Sequence, residues 1–312
     1  MERPAGAPRK DIDSTLTRLL QANGRARIHD LAHKLGVSRD VVARRMKALR
    51  TEDGWRIVAA LDPSFAGHRV FVHAAVDIDG PTTPVAQAIA EMDETVLVSL
   101  VSGSKPVIFE SRHPDYEGVH DTLDRVRSLP GVRQVSTSTY SKIIKGFFMA
   151  EETSYIEPDQ IDVALIRLLQ DDGRRSFRSL ASEVHLSPTA VQSRVEKLIE
   201  AGVIRISAIR PGRLSKHGIA VGVGISAAGP SAPIAEQLAN LPNIDFAAVS
   251  KGVFDLIITL AGPDTDQILQ ALDTLRSLPN IGRIETWTHF NVVKEDYARV
   301  IGAMPAGERL IS

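Results

Sequence analysis

Cysteine is absent from the 312 residues, which excludes disulfides, thiolate-held metals and a thiol nucleophile. Aromatic residues make up only 5%, so the cores must be built mainly from aliphatic side chains. No uncharged apolar run reaches the roughly 18 residues of a transmembrane helix. Residues 1–10 are polar and rich in proline and alanine, without the apolar centre of a secretory signal, so a cytoplasmic protein is expected. An excess of one charge is missing too, since 37 Lys+Arg stand against 38 Asp+Glu. That balance argues against a uniformly basic nucleic-acid coat, though a local basic face is compatible with it. There is no Gly-x-x-x-x-Gly-Lys loop and no Gly-x-Ser-x-Gly elbow, and Gly222-Val-Gly224 follows no dinucleotide-binding pattern. His29 and His33 lie four residues apart without an accompanying glutamate, so neither a metal nor a cofactor is expected. The remaining composition, 43% hydrophobic and 24% charged, is that of a globular chain of two to three domains.

What the chain does have is an internal repeat. A shift of 149 residues aligns the two halves without a gap, and 18 of the 48 positions from 12 to 59 are then identical. Ile12-Asp13 meets Ile161-Asp162, Gly24-Arg25 meets Gly173-Arg174, Arg45 meets Arg194, and Arg127-Ser128-Leu129-Pro130 meets Arg276-Ser277-Leu278-Pro279. A period this long marks a duplicated pair of domains, not a solenoid.

Each half opens with three helical patterns. Ile12, Leu16, Leu19 and Leu20 recur at helical spacing and stop at Asn23-Gly24. Ile28–Leu35 gives a short second helix. After the Gly36-Val37 turn, Ser38 caps a third helix reaching about Arg50. The second half repeats this as Ile161–Asp171, Phe177–Val184 and Ser187–Ala201, with Pro188 at the first helical position, where its missing N–H is harmless. Two helices joined by such a turn form a helix-turn-helix. Gly54–Leu61 and Gly202–Ile209 then read as a strand serving as wing and linker.

The rest of each half alternates as βαββαβ. The first has strands Val70–Ile78, Val96–Ser102, Val107–Glu110 and Val132–Ile144, with helices Pro84–Met92 and Tyr116–Ser128. The second has strands Ile219–Ala227, Phe246–Ser250, Leu256–Leu260 and Ile281–Val293, with helices Pro233–Leu241 and Thr265–Leu278. This is the ferredoxin-like order, an antiparallel sheet with both helices on one face. Its apolar open face must find a partner, so sheet pairing is expected, within the chain or as a homodimer or larger assembly. The fold class is therefore α+β. Expected boundaries are tails at 1–10 and 301–312, helix-turn-helix domains at 11–60 and 151–210, and ferredoxin-like domains at 61–150 and 211–300.

These motifs carry a resemblance. Ile161-Asp162, Leu168-Leu169-Gln170, Gly173-Arg174, Leu180-Ala181, Leu186-Ser187-Pro188-Thr189, Arg194, Leu198 and Gly202-Val203-Ile204 are similar to the DNA-binding signature of the leucine-responsive/AsnC family of transcription regulators. Gly252-Val-Phe-Asp255 is similar to that family's ligand-domain loop. The resemblance spans nearly the whole chain, twice, and implies sequence-specific binding of double-stranded DNA modulated by a small effector, commonly an amino acid. The first half departs from it: Gly103-Ser104-Lys105-Pro106 replaces the loop carboxylate with proline, so its effector site, Gly103 and Ser104, is the weaker expectation.

Local charge agrees with a DNA reader at the N-terminus. Residues 10–60 carry 11 basic against 6 acidic groups, whereas residues 159–210 carry 8 against 7. The expected DNA contacts on the first third helix are Ser38, Arg39, Arg44, Arg45, Lys47 and Arg50, and on the second Ser187, Thr189, Gln192, Arg194 and Lys197. Arg45 and Arg194 have a competing role, as ion-pair partners for Asp13 and Asp162. The expected effector residues in the second half are Gly252, for close backbone approach, and Asp255, for an α-amino group, with Thr286 and Thr288 on the last strand. The alternative for this loop is a plain hairpin turn, and for the threonines, with Thr137 and Thr139, simple strand formation. Two other functional readings stand beside the regulator, which itself is not an enzyme. One is a siroheme-decarboxylase-like enzyme, which needs His and Arg groups matched to a macrocycle. The other is an architectural, chromatin-like DNA binder without an effector.

Overall fold

The computed structural model describes residues 9–52, 54–146, 156–209, 218–241 and 243–296. The expected tails fall outside this set, apart from residues 9 and 10, which already belong to the first helix. The chain divides into two compact bodies. One holds both helix-turn-helix segments and the strand after each; the other holds both βαββαβ segments.

In the first body, α1 (Arg9–Ala22), α2 (Ile28–Leu35) and α3 (Arg39–Glu52) are followed by β1 (Arg56–Leu61). Their counterparts are α6 (Gln160–Asp171), α7 (Phe177–Val184), α8 (Pro188–Glu200) and β6 (Ile204–Ile209). Buried Leu16, Leu20, Leu31, Val42 and Leu49 fill the first core, and Leu165, Leu169, Leu180, Val191 and Leu198 the second. The turn after α2 needs a left-handed residue. Gly36 supplies it at φ 65°, whereas His185 occupies the equivalent place at φ 54°, a conformation unfavourable for most residues with a Cβ. Ser187 caps α8 by accepting from the Ala190 amide at 3.2 Å.

Among the described residues, the strand after each helix-turn-helix forms no hairpin wing of its own. β1 and β6 pair with each other, antiparallel, and the register is symmetric about the facing pair Val58 and Ser207. Those two residues are repeat equivalents, so the contact is the self-complementary kind found at a twofold dimer interface, built here inside one chain.

The second body contains β2 (Val70–Ile78), α4 (Thr82–Ala90), β3 (Thr95–Val101), β4 (Val107–His113), α5 (Tyr116–Arg127) and β5 (Val132–Lys145) from the first half. From the second come β7 (Ile219–Ala227), α9 (Ala232–Asn240), β8 (Ile244–Gly252), β9 (Leu256–Gly262), α10 (Thr265–Ser277) and β10 (Ile281–Glu295). The eight strands close into a barrel in the order β10-β3-β4-β2-β5-β8-β9-β7. The expected sheet pairing is thus met within the chain, edge to edge at β5–β8 and β3–β10, and no barrel strand is left with a free edge for a second chain.

Alternation along each strand divides the residues between outside and lumen. On β2, Val70, Val72, Ala74 and Val76 join the helix-covered core that includes Val85, Ile89 and Leu123. Phe71 and Ala75 belong instead to an inner cluster with Ile108, Tyr140, Phe254 and Trp287. Because every neighbouring pair in the ring is antiparallel, strand directions alternate. The β3–β4 and β8–β9 loops therefore lie at the same end of the barrel.

Candidate functional site

The helical body presents two unequal surfaces. On α3, Arg39, Arg44, Lys47 and Arg50 are all exposed, on the face opposite the buried Val42 and Leu49. The equivalent positions of α8 hold Pro188, Ser193, Glu196 and Ile199. Of the residues expected there, Thr189, Gln192 and Lys197 are exposed, with the Gln192 amide donating to Glu196 at 2.8 Å. Ser38 and Ser187 act as backbone caps, Ser38 Oγ accepting from the Val41 amide at 3.4 Å.

Arg45 and Arg194 are found in their competing role as ion-pair partners. Arg45 is paired with Asp13. Arg194 reaches Asp159 at 2.7 Å and Asp162 at 2.9 Å. Each guanidinium ties the third helix to the first, a half-buried task that fixes the reader's shape and explains why both halves keep it.

The Gly-Arg pair repeated in both halves does more than end a helix. The Gly24 amide donates to Ile206 O and the Gly173 amide to Ile57 O, both at 2.8 Å. The Arg25 guanidinium donates to Gly173 O at 2.8 Å and Arg175 O at 3.1 Å. Arg174 returns the contact to Gly24 O at 3.1 Å and Ala26 O at 3.0 Å. A Cβ at Gly24 would sit 2.8 Å from Ile57 Cγ2 and 2.9 Å from Ile206 O, and one at Gly173 would sit 2.8 Å from Ile206 Cγ2. This reciprocal clamp holds the two readers as one piece. Its signal in the sequence is an identity with no periodicity to explain it.

The barrel body carries a cavity of about 290 Å³ at the end that bears both loops. It lies on the first half's side. Gly103, Ser104 and Lys105 of the β3–β4 loop line it, together with Thr286 of β10. The loop expected to hold an effector, Gly252 to Asp255, is built differently. A Cβ on Gly252 would meet Thr137 O at 2.4 Å, whereas one on Gly103 would meet nothing within 4 Å. The Asp255 carboxylate accepts from the Ala227 amide at 2.8 Å, and its own amide donates to Ile225 O at 2.9 Å. Asp255 thus ties the β8–β9 loop to the end of β7, while Val253 and Phe254 of the same loop line the cavity opposite Gly103 and Ser104. Thr288 is likewise engaged through its backbone, its amide donating to Ser102 Oγ at 2.8 Å.

The difference between the two loops has its cause in the lumen. On the second half's side the strand face is nearly bare, with Gly222 and Gly224 on β7. A Cβ at Gly222 would fall 1.9 Å from the Trp287 indole nitrogen, and one at Gly224 would fall 2.6 Å from the Phe254 ring. The two rings stack on each other with centroids 6.0 Å apart and cover the glycines. In the first half the equivalents of Gly222 and Trp287 are His73 and Ser138, and Lys105 stands where Phe254 does. Large side chains have been exchanged for small ones across the barrel, and the space left over is the cavity.

Its floor and walls are polar on one side. His73 is buried and its pKa is lowered to about 3, by burial first and then by the charges of His289 and Lys105. It is a neutral imidazole at physiological pH, 5.5 Å from the Trp287 ring centre. His289, also buried and lowered to about 4 by burial, bonds to Ser99 Oγ at 2.9 Å. Tyr140 donates to Glu110 at 2.7 Å deeper in the lumen. At the rim Arg283 pairs with Glu285 at 2.5 Å. No carboxylate pairs with Lys105 among the described residues. His73, Lys105, Glu285 and Trp287 carry no signal in the sequence, because only barrel closure brings the two halves' strands together. Among the described residues no cluster of three metal-ligating side chains forms, and no helix is long and apolar enough to cross a membrane.

Comparison with known proteins matches both bodies. Residues 11–50 and 159–199 match the AsnC-type helix-turn-helix domain. Residues 69–147 match the Lrp/AsnC ligand binding domain, and residues 231–302 a C-terminal dimeric alpha+beta barrel domain. An uncharacterized HTH-type transcriptional regulator of Pyrococcus abyssi is 31% identical over 46% of this chain and 94% of its own length. The HTH-type transcriptional regulator LysM of Sulfurisphaera tokodaii is 26% identical over 39% of this chain and 88% of its own. These relatives correspond to one half of the duplicated chain. Over the full length, the crystal structure of the siroheme decarboxylase NirDL aligns with a TM-score of 0.62, covering 91% of this chain and 93% of that one. At 14% identity that likeness concerns the fold alone.

Proposed function

The chain belongs to the Lrp/AsnC family of transcription regulators, and from that premise we propose that it binds specific DNA sequences and that a small effector, an amino acid, modulates the binding. The observation that carries the reading is the exposed cationic face of α3, Arg39, Arg44, Lys47 and Arg50, in a chain whose net charge is only −1. A helix-turn-helix places this helix in the major groove, where such side chains reach phosphates and guanine edges. The ligand-binding domain gives the effector its place, and the cavity beside Gly103, Ser104 and Thr286 is the site the geometry favours. The setting is the cytoplasm, where the genome is, and the chain works without catalysis. A homodimer or larger assembly would use surfaces other than the barrel edges, which are all paired.

A cavity of about 290 Å³ lies just below the roughly 300–1,000 Å³ of sites for drug-sized ligands. That volume suits a small effector.

The test is fluorescence anisotropy of the full chain on DNA from upstream of its own gene, at two salt concentrations, with and without pooled amino acids. Selective, salt-dependent binding that shifts with the pool is expected. Charge reversal at Arg44 and Lys47 should weaken binding on the order of a hundredfold and reduce the salt slope by about 2, one for each phosphate deprived of its cation. Lys197→Glu on α8 should change it far less. Equal losses from the two helices would refute the assignment of α3 as the main source of affinity.

A further inference from the structure

The two halves of the barrel meet about a pseudo-twofold that runs along its axis, as the repeating strand order requires. A symmetric pair would offer two equivalent clefts at the loop-bearing end. This chain offers one, because the second is already filled. Trp287 and Phe254 lie on Gly222 and Gly224 so closely that neither glycine has room for a Cβ. Ser138 Oγ accepts from the Val253 and Phe254 amides at 3.1 and 3.4 Å, which pins the β8–β9 loop over that side. The aromatic pair is in effect a built-in occupant of one cleft and the wall of the other.

We propose that each chain holds a single ligand in the remaining cleft, and that the ligand is an amino acid with a flat aromatic side chain. The proposal rests on the effector reading above and narrows it. The Trp287–Phe254 stack that lines the cavity favours an aromatic ring, since offset or edge-on ring contacts add to area burial. Ala75 and Ile108 complete an apolar lining too small for more than one or two rings. His73, buried and neutral, offers one ring nitrogen to an N–H or O–H on that ring. Lys105, without a carboxylate partner, meets the ligand carboxylate, and Glu285 receives the ammonium while keeping Arg283. Leucine and other aliphatic amino acids satisfy the charges but not the ring.

Calorimetric titration of the full chain with L-phenylalanine, L-tyrosine, L-leucine and phenylacetate tests this, with intrinsic fluorescence as a second readout. Trp55 and Trp287 are the only two tryptophans, so a Trp55→Phe variant reports on the cavity wall alone. The expected result is one aromatic amino acid bound per chain, at least tenfold tighter than leucine or phenylacetate, with a change in Trp287 emission. Lys105→Glu, on a loop whose neighbours Gly103 and Ser104 are exposed, should weaken it at least tenfold with the circular dichroism spectrum unchanged, and Ala75→Phe should abolish it by filling the space. Two molecules per chain, no preference for the aromatic ring, indifference to Lys105→Glu, or no binding of any of the four would overturn the proposal. DNA anisotropy on the same preparations separates the failures. Salt-dependent DNA binding without aromatic binding sinks the lumen assignment alone. Aromatic binding at one per chain without DNA binding sinks the regulator and leaves the lumen site standing.

Discussion

The first and second halves of this chain share a fold element by element and differ in what they have kept on its surfaces. The first half has a recognition helix with four exposed cations and a barrel face that is partly hollow and polar. The second half has at the matching positions Pro188, Ser193, Glu196 and Ile199, and a barrel face plugged by Trp287 and Phe254. What has not diverged is the contact between halves: Gly24-Arg25 and Gly173-Arg174 make the same hydrogen bonds in both directions. The difference teaches that duplication fixed the scaffold and released the surfaces. One half has kept an open cavity because the other supplies its wall.

The comparison can be broken hardest at Trp287 and its equivalent Ser138. Trp287→Ala should destabilise the barrel body by about 3–5 kcal/mol, the usual range for truncating a buried aromatic. Ser138→Ala removes one acceptor from two amides and should cost about 1–3 kcal/mol. Chemical denaturation followed by circular dichroism measures both, and equal losses would mean that the lumen is not lopsided.

The shared Gly-Arg clamp gives the opposite expectation. Gly24→Ala and Gly173→Ala each push a methyl group into backbone and isoleucine atoms about 3 Å away or less, which should cost about 1–3 kcal/mol. The two values should agree closely, since the contacts are reciprocal. Thermal melts of the two variants side by side would show a mismatch at once.

At neutral pH the effect that concerns protons does not show, and it grows only as acid is added. His73 and His289 are buried with pKa values lowered to about 3 and about 4, against about 6.5 in an unfolded chain. Their contribution is full above pH 6.5. It falls as pH drops toward 4, because the unfolded chain then binds protons that the folded one refuses. Each histidine contributes a slope of up to about 1.4 kcal/mol per pH unit. Replacing either with glutamine should flatten the acid side of a stability-against-pH curve measured between pH 7 and 5.

Much of the fold is legible in the sequence. β2 and β7 run from Val70 to Ile78 and from Ile219 to Ala227, as unbroken apolar patterning between turn residues implies. β4 extends to His113 rather than Glu110 because Ser111, Arg112 and His113 are all buried, and a polar run gives no sign of burial by itself. β8 extends beyond both expected ends, from Ile244, which pairs with Leu260 of β9, to Gly252, where β5 of the other half gives it a partner. The site is less legible. Each half taken alone points to the loop with the carboxylate, Asp255, whereas the cavity is lined by Gly103, Ser104 and Lys105 of one loop and Val253 and Phe254 of the other, and only the cross-barrel exchange of Trp287 for Ser138 explains where it opens.

The symmetric pairing of β1 with β6 has one more consequence. Two separate subunits joined by such a strand pair would part and re-form as their concentration changed, trading partners with any similar chain nearby. Here the tether keeps the second strand at a fixed and high effective concentration, so the pair survives dilution and admits no stranger. The basic reader is therefore always wedded to the neutral one, in a ratio of one to one, whatever the number of copies in the cell.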